Sequence, residues 1–314
     1  MKPKYPLSGV VVSLNTPFDW SGKIDFESMA RSIEMHLREG ASGFLAPAHA
    51  GEVTALTIDE RIEIIRFVRQ CIGTRAEFIA CATTGTQEGS STIIRAALKA
   101  ECQSVLVEIP KKYRSDRNAA IQFCRSIAQI GAPMLAIQDL DWDGFGLPVE
   151  WILELFEVVD SFRCLKVEVR PAGPKYTQVI EATSGQLTVA GGWAADQMIE
   201  ALDRGVDIFM PTAMTRMYSL IVSNHRAKNR EDAVRAFHTI LPVLAFTRQH
   251  LDISIQFYKQ LFVRRGIFST PATRKTCLPY DGYHQRYGEE LIEYLGRVEA
   301  AILNRQTVAT KLTR

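Results

Sequence analysis

Short apolar runs alternate along the chain with stretches whose apolar positions recur every three to four residues. The first run, Gly9-Val-Val-Val-Ser-Leu-Asn-Thr16, is rich in β-branched residues and breaks at the turn formers Pro17, Asp19 and Gly22. A helical pattern follows from about Asp25 to Arg38, then a strand pattern over Ser42-Gly-Phe-Leu-Ala-Pro47. From Thr57 to Cys71, Ile and Val repeat at helical spacing, and Glu60 stands three residues after Thr57, as a capping box requires. Further strands are predicted at about 77–82, 104–109, 133–138, 164–169, 187–190 and 207–211. Helices are predicted between them at about 87–101, 116–130, 148–158, 173–183 and 194–203. With the helix after the last strand this makes eight alternations, which implies parallel strands joined by right-handed crossovers.

Eight such units predict an α/β fold, a TIM-type (β/α)8 barrel over residues 1–224. A doubly wound sheet would normally carry a glycine-rich fingerprint after its first strand, and this chain has none. From about Met214 the strand signals stop. Amphipathic stretches at about 228–249, 251–264 and 286–304 predict an α-helical C-terminal extension over 225–314. No Gly/Ser/Pro-rich linker separates it from the barrel, so barrel and extension are expected to fold as a single unit.

Composition narrows the function. The 314 residues carry 37 basic and 35 acidic side chains, a net charge of +2 without a basic stripe, so nucleic-acid binding is not expected. No apolar run reaches a membrane span and the N-terminus lacks a signal-peptide core, which predicts a cytoplasmic protein without membrane association. The six cysteines lack paired spacing and the histidines form no HExxH or HxxxH pattern, so no metal site is expected. Asp139, Asp141 and Asp143 alternate in an acidic segment read as a loop, which lacks the distal Glu of an EF-hand.

The active face of a TIM barrel lies at the C-terminal ends of its strands. In Cys164-Leu-Lys-Val-Glu-Val-Arg170, alternation directs Leu165, Val167 and Val169 toward the helices and Cys164, Lys166 and Glu168 toward the barrel axis. A buried lysine favours its neutral amine, the form that attacks a ketone to give an iminium. A structural ion pair with Glu168 is the competing reading, and the pattern alone does not choose between them. Gly191 and Gly192 end the seventh strand, where either ligand approach or tight packing calls for glycine.

Several motifs together resemble the dihydrodipicolinate synthase and N-acetylneuraminate lyase family of Schiff-base aldolases. They are Gly9-Val-x5-Thr16-Pro-Phe18 with Gly22-Lys-Ile-Asp25, and Gly40-Ala-Ser-Gly43 with Ala50-Gly-Glu52, Leu56-Thr57 and Glu60-Arg61. Ile109-Pro110, Pro133, Leu165-Lys166, Gly191-Gly192 and Gly205-Val-Asp207 continue the match through the remaining units. The resemblance implies that Lys166 forms the Schiff base, and it points to His49, Ala50, Gly191 and Met210 for substrate binding. It also implies a homo-oligomer, dimer or tetramer, that needs no organic cofactor because the lysine itself is the electron sink.

The chain departs from the family in three places. Where the family has a hydroxyl pair that holds the keto-acid carboxylate, this chain reads Ala48-His49-Ala50-Gly51-Glu52, which leaves backbone N–H groups and His49 for that task. The family's proton-relaying tyrosine falls at Lys112 in strict register, and Tyr113 takes the role only after a one-residue loop adjustment. Trp142 stands where the synthase branch has an arginine for its second substrate, and the nearby aspartates would repel an anion. The expectation is a lyase, aldolase or sugar-acid dehydratase acting on pyruvate or a 2-keto(-3-deoxy) acid with an aldehyde or sugar-acid partner, rather than a true dihydrodipicolinate synthase. The alternative is a barrel retained for small-molecule binding or regulation with catalysis impaired.

Overall fold

A computed structural model describes Tyr5, residues 7–192 and residues 196–312, with side-chain surroundings as far as Leu303. Eight parallel strands close into a barrel in sequence order. They are β1 (Gly9–Ser13), β2 (Gly43–Ala46), β3 (Glu77–Cys81), β4 (Ser104–Glu108), β5 (Met134–Asp141), β6 (Phe162–Val169), β7 (Thr188–Gly191) and β8 (Ile208–Phe209). Pairing of Gly9 with Ile208 and Val10 with Phe209 closes the ring. The helices α1 (Phe26–Arg38), α2 (Ile58–Ile72), α3 (Gln87–Lys99), α4 (Arg117–Ala128), α5 (Val149–Val158), α6 (Gly173–Ala182), α7 (Met198–Asp203) and α8 (Thr215–Arg226) follow their strands in turn. The predicted helical stretch over 194–203 begins outside the described residues, and its later part forms α7.

Local chemistry explains where helices start. Asp25 caps α1 through Ser28, Thr86 caps α3 through Gly89 and Asp116 caps α4 through Ala119. At α2 the full reciprocal capping box forms: the Glu60 amide donates to the Thr57 hydroxyl at 3.2 Å, and the Thr57 amide donates to the Glu60 carboxylate at 2.9 Å.

Strand alternation sorts the apolar side chains into two cores. Leu165, Val167 and Val169 pack outward with the helices. Val11, Leu45, Ile79, Leu106, Cys164 and Ile208 fill the barrel interior. Tyr5 seals the N-terminal end, where its hydroxyl donates to Ser104 Oγ at 2.8 Å.

Two strands differ from expectation. β8 contracts to two residues, whereas β5 runs to Asp141, three residues beyond its predicted end. The segment containing Asp139 and Asp141 is therefore strand, paired with β6 as far as Asp141 opposite Val169. Charge neutralisation makes this feasible. Lys175 of α6 is buried and places Nζ 2.5 Å from Asp139 Oδ2, and the other Asp139 oxygen accepts from the Leu147 amide at 2.8 Å. Burial raises the Asp139 pKa, and Lys175 acts in the opposite direction.

The remaining helices are α9 (Arg230–Thr247), α10 (Leu251–Arg264) and α11 (Gly282–Leu312). α9 lies along α8, and α10 approaches the turn that follows β2. The contact at that turn is a fully buried ion pair between Lys259 Nζ and Glu52 Oε1 at 2.5 Å. Arg274, between α10 and α11, grips both oxygens of Glu60 at 2.9 and 2.7 Å. No helix among the described residues is long and apolar enough to cross a membrane, and no group of three or more potential metal-ligating side chains occurs among them.

Candidate active site

Register assembles polar groups at the C-terminal mouth of the barrel. Glu108 of β4 pairs with Gln138 of β5, and Gln138 pairs with Lys166 of β6. Aligned residues in parallel strands point to the same side of the sheet, so all three project inward. Glu168 is two residues beyond Lys166 and on the same face. Lys166 is 4% exposed and Glu168 8%, with Nζ and Oε1 3.2 Å apart. The other Glu168 oxygen accepts from Gln138 Nε2 at 2.5 Å. Beneath the amine lie the thiols of Cys81 and Cys164. Burial pushes both upward in pKa, Cys164 to about 12, while Lys166 works weakly against that shift.

Gly192 creates the space for this carboxylate. A Cβ at residue 192 would lie 2.2 Å from Glu168 Cγ and 2.3 Å from Oε1. Gly191, expected to bind substrate, is directed elsewhere: it pairs with outward-facing Val167, and a Cβ there would meet Phe209 and the Tyr176 hydroxyl, each at 3.3 Å. The structure does not bring Gly191 into the cavity around Lys166.

That cavity holds a free volume of about 50 Å³. From the barrel it is walled by Ser13, Ala48, His49, Ala50, Trp142 and Met210. His49 begins a short 3-10 turn, His49–Gly51, and its Nε2 is 3.0 Å from Glu108 Oε2. Arg114 pairs with the other Glu108 oxygen and donates to the Leu140 carbonyl at 2.7 Å. The Ala50 carbonyl accepts from Asn15 Nδ2 at 2.5 Å, which fixes the turn, and the Met210 carbonyl accepts from Ser13 Oγ at 3.4 Å.

Tyr113 is not among the residues around this cavity. The 3-10 turn Lys111–Tyr113 folds its ring against Phe123 of α4, with centroids 5.8 Å apart and Lys112 Nζ 4.8 Å above the ring. The guanidinium of Arg114, the next residue, is held instead by its bonds to Glu108 and the Leu140 carbonyl. Asp139 also lies away from the cavity, on the α6 side with Lys175, and Asp141 Oδ2 accepts from the Gly146 amide at 3.1 Å. The expected repulsion from a cluster of aspartates therefore does not arise from Asp139.

The wall that sequence reasoning missed comes from the extension: Thr247 and Arg248 at the end of α9, and Leu251, Ser254 and Tyr258 of α10. Arg248 pairs with Asp196. Its burial and nearby Arg170 oppose the guanidinium charge, and Glu168 offsets part of that opposition. Burial pushes the Tyr258 phenol up to about 12, despite a 3.4 Å contact with the Thr247 hydroxyl.

Fold and site thus define a (β/α)8 barrel enclosing one lysine in a small chamber at its C-terminal mouth. The chain belongs to the dihydrodipicolinate synthetase family, whose model matches residues 6–293. Among individual relatives, the protein from Pseudomonas aeruginosa named 4-hydroxy-tetrahydrodipicolinate synthase is 28% identical over 123 residues, 39% of this chain and 42% of that protein. The protein of the same name from Chlorobium phaeobacteroides is 29% identical over 164 residues, 52% of this chain and 55% of its own length. The matched stretches therefore span about half the length of these relatives. The crystal structure of dihydrodipicolinate synthase from Rhodopseudomonas palustris superposes with a TM-score of 0.84 at 18% identity, covering 94% of this chain and 99% of that one. The Aquifex aeolicus enzyme gives 0.83 at 15% identity, covering 92% and 98%. At these identities the solved structures establish the fold.

Proposed function

We propose that the protein is a Schiff-base-forming lyase that cleaves or forms a carbon–carbon bond, or dehydrates a sugar acid, through a 2-keto acid bound to Lys166. The observation that carries this reading is the enclosed amine of Lys166 at the barrel mouth, beside a carboxylate that can accept its proton. Neutral Lys166 adds to the keto carbon of pyruvate or a 2-keto-3-deoxy acid, and loss of water leaves an iminium. The iminium draws electrons from the neighbouring carbon, and the resulting enamine adds to an aldehyde or is released from one. The turn at His49 and Ala50 is the proposed seat of the keto-acid carboxylate, with His49 oriented by Glu108.

The distal part of the substrate faces Trp142, Ser254 and Arg248. Trp142 offers a planar apolar surface and Ser254 a hydroxyl, which suits a hydroxylated chain better than the second substrate implied by the names of the relatives. The Lys166–Glu168 pair and the outward position of Tyr113 also accommodate the alternative, a barrel kept for binding with its catalysis impaired. Homo-oligomerisation and a cytoplasmic location belong to the same proposal.

Borohydride trapping separates the readings. After incubation with pyruvate and borohydride, intact-mass analysis and peptide mapping are expected to find one pyruvyl adduct at Lys166, absent from Lys166→Ala. The binding-only reading is favoured if a panel of 2-keto acids yields no adduct.

A further inference from the structure

We propose that Glu168 is the acid–base group of the site, carrying protons to and from the Lys166 nitrogen and the adjacent substrate carbon, the task a tyrosine relay would otherwise perform. This rests on the Schiff-base reading above.

Three observations converge on this carboxylate. Among the described residues it is the acid paired with the lysine, with Oε1 3.2 Å from Nζ, inside a chamber from which Tyr113 is turned away. It is positioned from two sides: Gln138 Nε2 donates to Oε2 at 2.5 Å, and the carboxylate lies against Gly192, where a Cβ would overlap it. Charged and polar groups from several elements surround it. Lys166 shares its strand face, Arg248 approaches from the extension, and the Tyr176 phenol of α6 lies within its electrostatic reach. An ion pair serving stability alone is more readily supplied by hydrophobic residues of equal volume, since desolvating two charges consumes most of their attraction.

The proton inventory closes with this single group. Glu168 takes a proton from the Lys166 ammonium, and the freed lone pair forms the C–N bond while the carbonyl π pair moves to oxygen. The acid protonates that oxygen, the new ammonium returns a proton to the carboxylate, and a second transfer to the hydroxyl releases water as the C=N bond forms. The sum is ammonium plus ketone giving iminium plus water, with Glu168 restored as carboxylate. It then removes a proton from the carbon next to the iminium to give the enamine, and returns it in the reverse step. Gln138 is a positioning residue that keeps Oε2 engaged so that Oε1 faces Nζ.

The test follows exchange of pyruvate methyl protons in deuterated water by NMR, beside borohydride trapping, for the full-length chain and for Glu168→Gln and Glu168→Asp. In Glu168→Gln, exchange is expected to fall at least about 100-fold and to lose its dependence on pH at the acid limb, while an adduct still accumulates slowly at Lys166. In Glu168→Asp, which draws the carboxylate back by one carbon, exchange is expected to fall roughly tenfold with the acid limb kept. Exchange within about threefold of the parent in either folded variant overturns the assignment while leaving the Schiff base intact. An unmodified Lys166 in the parent overturns both.

Discussion

At the scale of single residues, the two adjacent glycines at the end of β7 divide the work by parity. Gly192 abuts Glu168, whereas Gly191 faces Phe209 and Tyr176 on the outer side. Gly192→Ala must push a methyl group into the carboxylate and move it from Lys166. The expected outcome is near-complete loss of pyruvate exchange, with a stability cost of about 1–3 kcal/mol from overpacking. Gly191→Ala meets its neighbours at 3.3 Å and is expected to keep most of the exchange rate. Equal losses in both, measured by exchange and thermal melting, would show that packing at β7 rather than contact with Glu168 governs activity. Alternation along β6 already directs Lys166 and Glu168 inward from the sequence, because strand period is rigid. It cannot tell which glycine follows suit at the strand's end, where the backbone leaves the sheet. Tyr113 illustrates the same limit: a one-residue ambiguity in a loop carries no periodic signal, and the 3-10 turn resolves it toward Phe123.

Among elements, buried charge reveals how the helices lock to the strands. Lys259 of α10 is wholly buried against Glu52, and burial lowers its pKa to about 8 although Glu52 acts to raise it. Removing one partner strands the other, so Lys259→Met should cost about 3–5 kcal/mol, whereas the double variant Glu52→Gln/Lys259→Met should recover much of that loss. Additive losses in urea unfolding of the two single variants and the double would mean that the two charges are not coupled. A second junction responds to pH. His36 of α1 donates to or accepts from the Thr215 hydroxyl at 2.8 Å and packs edge-on against Phe44 and Phe262. Burial lowers its pKa from 6.5 to about 3, so the unfolded chain protonates there before the folded one does. Its contribution to stability is therefore fully present above pH 6.5 and is lost as pH falls toward 3, by at most about 1.4 kcal/mol per pH unit. A His36→Gln variant should show a shallower decline between pH 6.5 and 4 in urea midpoints, and an unchanged slope would exclude this source. Neither junction is visible in the sequence, because each joins positions separated by more than 170 residues. The Thr57–Glu60 capping box is visible because its partners are three residues apart.

Across the whole molecule, the extension and the barrel share one site and several fastenings, and we propose that they fold as a single unit. α9 and α10 wall the chamber of Lys166, Thr270 Oγ1 donates to the Phe18 carbonyl at 2.6 Å, and Arg274 binds Glu60 at the start of α2. Arg274 is the first cause of a Glu60 pKa lowered from 4.5 to about 2. A depressed carboxyl stabilises the fold above its unfolded value and loses that contribution as pH falls from about 4.5 through about 2. Arg274→Ala should thus destabilise the protein at neutral pH and flatten its acid response in that window. The tryptophans permit a sharper test, since all four, Trp20, Trp142, Trp151 and Trp193, lie before residue 225, whereas far-ultraviolet dichroism also weighs α9, α10 and α11. If barrel and extension unfold together, the fluorescence and dichroism curves in urea should coincide at one midpoint, and Arg274→Ala should shift both curves equally. An extension that loosens first would move the dichroism ahead of the fluorescence, and because Arg248 and Tyr258 would leave the chamber with it, pyruvate exchange would vanish on the dichroism curve while tryptophan still reported an intact barrel.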